Sequence, residues 1–190
     1  MTHEESTLRT KKMLCASLKK AMKQKAFSKI TVSELIADCN LNRKTFYYHF
    51  EDIYALLKWM LEQEAIDVVK EFDLMVDYKD AFSFVIDYVE KNSCFLNCIY
   101  DSVGRDELKR FFYQDCIGIV NRFIQDCAAK ENISLNDNFL AFISDFYTEA
   151  IAGMIISLFQ HPKICDKARA LDYLSLILNN SIPALLRAQP

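Results

Sequence analysis

The amino-acid sequence predicts an all-α protein, and three observations lead to that prediction. Of its 190 residues 52% are hydrophobic, so the chain can bury a sizeable core. It contains only three Gly and three Pro, too few for the many tight turns of a β-sandwich. Apolar residues recur at helical spacing along most of the chain. We expect about nine helices, in an N-terminal domain over residues 1–52 and a helical domain over residues 53–190.

Charge is distributed unevenly along the chain. Residues 1–50 carry ten Lys/Arg and four Asp/Glu, which gives +6, whereas residues 51–190 carry 13 and 22, which gives −9. A basic segment of this kind suits a polyanionic partner, and the acidic remainder would repel one. The basic charge is also compatible with an ordinary solvated helix.

The sequence favours a cytoplasmic protein with no membrane partner. No uninterrupted apolar run reaches the ~18 residues that span a bilayer, and residues 1–25 are polar and charged, unlike a signal peptide. The seven cysteines are odd in number and lack a framework spacing, which favours reduced thiols.

No metal or cofactor site is predicted. Cys94 and Cys98 share a helical face, but the three histidines lie far away at positions 3, 49 and 161. We therefore expect these two residues to be small buried apolar cysteines rather than metal ligands.

The first two helices follow from periodicity and capping. Residues 7–26 form an amphipathic pattern whose polar face is strongly basic. Thr31 followed three residues later by Glu34 is a capping-box signature, so a short helix begins there and ends near Asp38 or Cys39.

A tight turn and a second short helix come next. Asn40 tolerates the left-handed conformation that closes a helix, and Asn42 can cap a helix running from Arg43 to about His49. Two short helices joined by such a turn, preceded by a longer one, form a helix-turn-helix of the kind that binds DNA.

The second short helix has an apolar and a polar side. Phe46 and Phe50, four residues apart, are expected to face the core with Leu35, Ile36 and Leu41. Long cations at the start of such a helix reach base edges, and hydroxyl, phenol and imidazole groups donate to phosphates. The residues left for this outer surface are Arg43, Lys44, Thr45, Tyr47, Tyr48 and His49.

The stretch ITVSELIADCNLNRKTFYYHFEDIYALL, residues 30–57, resembles the signature of the TetR family of bacterial transcriptional regulators. That signature ends in a Thr, apolar, Tyr, any, Tyr or His, Phe run. The resemblance covers about residues 7–57. It implies three N-terminal helices for DNA, a connecting fourth helix, and a helical domain for dimerisation and usually ligand sensing.

The resemblance also implies roles for single residues. Four of them match positions at which the family often contacts phosphates: Thr31, Thr45, Tyr47 and His49. Three match base-facing positions: Ser33, Arg43 and Lys44. With the outer-surface residues and the cap, the predicted DNA site is Thr31, Ser33, Asn42, Arg43, Lys44, Thr45, Tyr47, Tyr48 and His49.

Two positions depart from the family pattern. Asn40 stands where a turn glycine is common, and Ile53 stands where a lysine usually grips the DNA backbone at the start of the fourth helix. The cations expected to compensate are Lys12, Lys19, Lys20 and Lys23.

The rest of the chain reads as longer helices. An amphipathic pattern over residues 53–72 predicts a linking helix, and further helices are expected at about 78–93 and 105–130. The segment between these two reads as a short helix or irregular turn that ends at Gly104. Eight aromatic residues form either plain core or a ligand pocket: Phe82, Phe84, Tyr88, Phe95, Tyr100, Phe111, Phe112 and Tyr113.

The last two predicted helices, residues 136–160 and 166–186, carry more apolar surface than a small domain can bury. Pro162 is expected to break the first helix, and Pro183 to kink or end the second. Pairing of two copies would form a four-helix interface over about residues 136–187. It would also place the two DNA-binding helices side by side on a palindromic DNA site. The alternative is an internal core hairpin.

Two functional classes follow. The first is a homodimeric regulator that binds a palindromic operator in double-stranded DNA, most often a repressor, under control of an unknown small-molecule effector. The second is a co-regulatory protein of the same fold with weak or no DNA binding of its own. An enzyme is not expected, because three glycines leave no phosphate-cradling loop and no Ser or Cys has a neighbouring His.

Overall fold

The structure, a computed structural model, describes residues 3–161 and 166–188, apart from the side chain of Lys167. Within these ranges the chain forms nine helices and no strands, which confirms the all-α prediction. The helices are α1 His3–Met22, α2 Val32–Asp38, α3 Arg43–His49, α4 Ile53–Leu61 continued by a π-helical turn Glu62–Ile66 and by Asp67–Glu71, α5 Tyr78–Lys91, α6 Ser93–Val103, α7 Arg105–Lys130, α8 Asp137–Gln160 and α9 Lys167–Arg187.

The helices group into two compact units. The first contains the described residues up to Glu64 together with Cys94–Gly104, and the second contains the rest. The core of the first unit is made of side chains that are at most 1% exposed: Leu14, Leu18, Leu35, Phe46, Leu56, Met60, Leu96 and Ile99.

Local capping bonds fix the boundaries of α2 and α3. The Thr31 hydroxyl accepts from the Glu34 amide at 3.4 Å, and the Glu34 carboxylate accepts from the Thr31 amide at 2.9 Å. Asn40 has a φ of 53°, and the Asn42 side chain accepts from the Thr45 amide at 2.8 Å. The predicted capping box, left-handed turn residue and cap are therefore confirmed.

Helix α1 is displaced from its predicted range of residues 7–26, since it runs from His3 to Met22. At its end the Gln24 amide bonds to the Ala21 carbonyl at 3.0 Å, three residues back, which tightens the chain into a turn. The basic residues beyond Met22 therefore lie in this turn rather than in the helix.

Helix α6 occupies the segment whose form the sequence left open. It has 11 residues and buries Leu96 and Ile99, each 1% exposed. Gly104, with a φ of 84°, follows it, and its amide bonds to the Tyr100 carbonyl at 2.9 Å, as at many helix C-termini. Cys94 is exposed, so the expectation that it is buried is wrong; Cys98 is half-buried.

The core of the second unit lies among α7, α8 and α9. Its buried members are Val120, Ile124, Cys127, Ala128, Ile143, Tyr147, Ile182 and Leu186. Pro183 lies inside α9, which continues to Arg187, so of the two expected effects Pro183 does not end the helix, and a kink stays a prediction. In the turn before it, Asn180 Nδ2 and Ser181 Oγ each donate to the main-chain carbonyl four residues back at 2.7 Å. The predicted break at Pro162 lies outside the described residues.

Among the described helices, α8 alone is long and apolar enough to span a bilayer by length and composition, and 33% of its most apolar window is buried. Two of its carboxylates bond to α7. Asp145 accepts from the Tyr113 hydroxyl at 2.5 Å, and Glu149 pairs with Lys109. Because charge inside a bilayer is costly, α8 is better explained as a helix that packs on protein.

Candidate nucleic-acid interface

The opposite sides of α3 have different environments. Phe46 and the following Phe50 are 0% and 5% exposed, and the Phe50 ring lies 5.9 Å from that of Trp59 on α4. On the other side, Tyr47 and Tyr48 are 48% and 70% exposed. The packed phenylalanines hold the helix so that its second side faces outward.

Six of the nine predicted site residues come together on that outward side. They line a shallow depression of ≈ 770 Å³: Asn42, Arg43, Lys44, Thr45, Tyr47 and Tyr48. Thr31 and Ser33 are exposed at the start of α2, and His49 is half-buried at the end of α3.

Arg43 and Tyr47 lie one turn apart and contact each other. The Arg43 guanidinium donates to the Tyr47 hydroxyl at 3.5 Å and lies 5.7 Å from the centre of its ring. A guanidinium held on an aromatic face loses less side-chain freedom when it binds an anion or a base edge. Arg43 is therefore partly pre-positioned at the start of α3.

Asn42 and Thr45 already have a structural role. The Thr45 hydroxyl donates to Asn42 Oδ1 at 3.0 Å, in addition to the capping bond from the Thr45 amide. This cap fixes the first turn of α3, and the hydroxyl must give up its bond to Asn42 before it can donate to a phosphate.

His49 has its pKa lowered, first by burial and then by the positive charges of Lys11 and His3. Sequence reasoning missed Lys11, although a signal was present. Lys11 precedes the buried Leu14 and Leu18 by three and seven residues, which places it on the buried stripe of α1 rather than on its outer face.

The basic surface of the first unit is weaker than its composition suggests. Lys19 pairs with Glu64, Lys20 with Asp38, and Lys25 with Glu34. The Lys25 ammonium is the main cause of the lowered pKa of the Glu34 carboxyl. Lys19 and Lys20 thus each have an acidic partner, which lowers the net positive charge of this surface, and their compensation for Ile53 stays a prediction.

The second unit contains a groove of ≈ 1010 Å³, lined by residues 69–76 and by one side of α7 from Gln114 to Lys130. Lys70, Asp73, Arg122 and Asp126 lie along it beside apolar residues. The aromatic residues proposed from the sequence do not line this groove. The Phe84 and Tyr88 rings stack on each other, and Phe112 is buried.

A capped helix-turn-helix with an outward basic and aromatic helix defines a class of transcriptional regulator, and comparison with known proteins agrees. A family model described as "Transcriptional regulator C-terminal region" matches residues 77–180. The HTH-type dhaKLM operon transcriptional activator DhaS of Lactococcus lactis subsp. lactis (strain IL1403) is 22% identical over 145 residues, which are 76% of each chain. The solved structure of a dihydroxyacetone kinase operon activator, DhaS, has a TM-score of 0.68 at 20% identity and covers 94% of this chain and 97% of its own.

The chain therefore belongs to the TetR family of transcriptional regulators. The family model covers the C-terminal region, whereas the signature noted in the sequence lies within residues 30–57, so the two lines of evidence are independent. Because its family and relatives are transcriptional regulators, the protein is a regulator and not an enzyme.

Proposed function

We propose that this protein is a cytoplasmic homodimer that regulates transcription by binding a palindromic operator in double-stranded DNA through α2 and α3. One observation carries the proposal: Arg43, Lys44 and Tyr47 share the exposed side of a helix whose other side is buried and whose first turn is capped. A cationic side chain at the start of such a helix can reach base edges, and the phenols can contact phosphates.

Dimerisation through about residues 136–187 is supported by apolar surface on α8 and α9. On α8, Phe142 is 68% and Phe146 is 60% exposed, and on α9 Tyr173 and Leu176 are 59% and 63% exposed. Large apolar side chains clustered on a surface mark an interaction site. A second copy of the same two helices would cover them and form a four-helix interface.

Whether the protein activates or represses transcription does not follow from its DNA-binding surface. The relative from Lactococcus lactis is named an activator, so the predicted repressor action gains no support from it. We therefore propose regulation of transcription without assigning repression.

A small-molecule effector remains part of the proposal. The groove of ≈ 1010 Å³ is large enough for one, and its Lys70, Asp73, Arg122 and Asp126 side chains suit a polar compound better than an apolar one. Titration of polar metabolites against thermal stability tests this, with Gly118→Trp as the variant that fills the groove. The proposal predicts that a stabilising compound loses its effect on Gly118→Trp.

The alternative is a co-regulatory protein of the same fold with weak or no DNA binding. Ile53 and the neutralised Lys19 and Lys20 favour it, because each reduces the charge available to phosphates. A selection from random duplexes followed by gel shift separates the two functions. Enrichment of a palindrome supports the regulator, whereas no enrichment and no salt-dependent binding would favour the co-regulatory protein.

Base recognition by Arg43 and Lys44 is tested on the duplex that the selection enriches. If either residue reads a guanine, its change to Ala costs about 1–3 kcal/mol on that duplex and little on random sequence. Lys91→Ala, at an exposed lysine that ends α5, removes the same charge and serves as the control. Equal losses on both duplexes would reduce the residue to a phosphate contact.

A further inference from the structure

Lys11 of α1 is held between two aromatic side chains. Its ammonium lies 5.4 Å from the centre of the Phe50 ring and 5.1 Å from that of Trp59, and these two rings lie 5.9 Å apart. Phe50 directly follows α3, and Trp59 belongs to α4. The ammonium is therefore fixed beside the connection between the predicted recognition helix and the helix after it.

Lys11 and Lys19 both lie beside an aromatic ring, Lys19 at 5.6 Å from the centre of Phe95, but Lys19 also has a carboxylate partner. Lys19 and Lys20 bond to carboxylates, which cancel their charge. A ring face attracts a cation through its quadrupole and leaves the unit charge in place. Lys11 is thus immobilised like an ion-paired lysine while its charge stays available to an anion.

Charges of both signs lie near this ammonium, because Glu51 and Asp52 directly follow Phe50. After burial, Lys11 and His3 are the groups that lower the pKa of His49, the last residue of α3. Arg43 and Lys44 lie at the start of the same helix. Ile53 begins α4 two residues after Glu51 and brings no charge to this end. A phosphate that approaches the end of α3 would meet the Lys11 ammonium, whereas Ile53 at the start of α4 brings no cation.

We propose that Lys11, held on Phe50 and Trp59, is a pre-positioned phosphate clamp that grips the DNA backbone at the C-terminal end of α3. This inference rests on the proposed DNA binding. The rings set the position of the ammonium before DNA arrives, so little side-chain entropy is lost on binding. The contact is to a phosphate, so it strengthens binding to every duplex alike.

The test compares Lys11→Gln, Lys11→Arg and the control Lys91→Gln on a labelled duplex of random sequence over a range of salt concentrations. Loss of one phosphate contact lowers the slope of log K against log salt by about 0.9. We expect that decrease for Lys11→Gln and recovery in Lys11→Arg, which keeps the charge and stacks on rings. Lys91→Gln removes the same charge from an exposed lysine of the second unit and should change the slope less.

Trp59 gives a second readout, because it is the only tryptophan in the chain. Its emission in the free protein should change in Lys11→Gln and stay as in the wild type in Lys91→Gln, while helicity is retained in both. Unchanged emission in Lys11→Gln would show that the ammonium does not lie on the ring, and would overturn the clamp.

The two proposals fail in distinguishable ways. A wild-type protein that binds no duplex even at low salt would overturn DNA binding and the clamp together. Wild-type binding with the same salt slope in Lys11→Gln, or equal slope losses in Lys11→Gln and Lys91→Gln, would overturn the clamp alone.

Discussion

Helices α3 and α8 each expose an aromatic side chain to nearly the same fraction, but the residues beside that side chain differ. Tyr48 on α3 is 70% exposed and Phe142 on α8 is 68% exposed. Around Tyr48 lie Arg43, Lys44 and the Tyr47 hydroxyl, whereas the exposed residues that follow Phe142 along α8 include Phe146 and Met154. A similar exposed fraction therefore supports the proposal of a polyanion in one region and of a largely apolar partner in the other, where Asp145 and Glu149 are also exposed.

The largest effect is expected from a charge placed on the apolar side of α8. Gly153→Glu should split the dimer, because a carboxylate would be buried in an apolar contact between copies. Helicity should persist and high-affinity binding to the palindrome should be lost. Sedimentation at micromolar concentration measures the association state.

Gly118→Glu is the matched control for this variant. Both glycines lie within long helices, and a Cβ added at either one meets nothing within 4 Å in the single chain. The interface proposal predicts a dimer for Gly118→Glu and a monomer for Gly153→Glu. A dimer with full operator affinity in both variants would return α8 and α9 to the core-hairpin interpretation.

A smaller effect is expected from the two asparagine caps. Asn42 caps α3, which has 7 residues, and Asn136 caps α8, which has 24. Each change to Ala should cost about 1 kcal/mol of unfolding free energy by urea denaturation. Only Asn42→Ala should also weaken DNA binding, because its cap orients the first turn of the recognition helix. Equal DNA affinity in the two variants would argue that α3 holds its position without the cap.

The smallest effect on stability is expected for Tyr47→Phe, which keeps the ring and removes the hydroxyl. The exposed ring keeps its contact with the Arg43 guanidinium, so the melting temperature should barely change. DNA binding should weaken on all sequences alike, since the lost group is a phosphate donor. Unfolding of the variant with DNA affinity spared in the folded fraction would instead give the phenol a structural role.

Local signals explain why the helix-turn-helix could be predicted closely. Thr31, Glu34, Asn40 and Asn42 determine their backbone through bonds to residues within three positions of themselves, so neighbours in sequence suffice. Phe46 and Phe50 are buried as helical periodicity requires. The family signature then supplied base and phosphate roles that capping cannot assign.

Long-range contacts explain what the sequence could not supply. Nothing near Lys19 or Lys20 in the chain shows that Glu64 and Asp38 neutralise them. Helix α6 groups with the first unit, although α5 of the second unit lies between them in sequence. One of its contacts is that of Phe95 with Lys19, in which the ring centre and the ammonium lie 5.6 Å apart. Pairings across so many residues depend on packing that periodicity does not encode.

By itself the sequence determined the helical class, the capped turn between α2 and α3 and the polar character of the outward side of α3, because each follows from bonds or periodicity within a few residues. Only the tertiary structure decided which cations keep their charge. Lys20 meets a carboxylate and Lys19 meets both a carboxylate and the Phe95 ring, whereas Lys11 meets the rings of Phe50 and Trp59. The net charge of a surface is a sum over residues brought together by folding, and a carboxylate cancels a cation whereas an aromatic face only positions it.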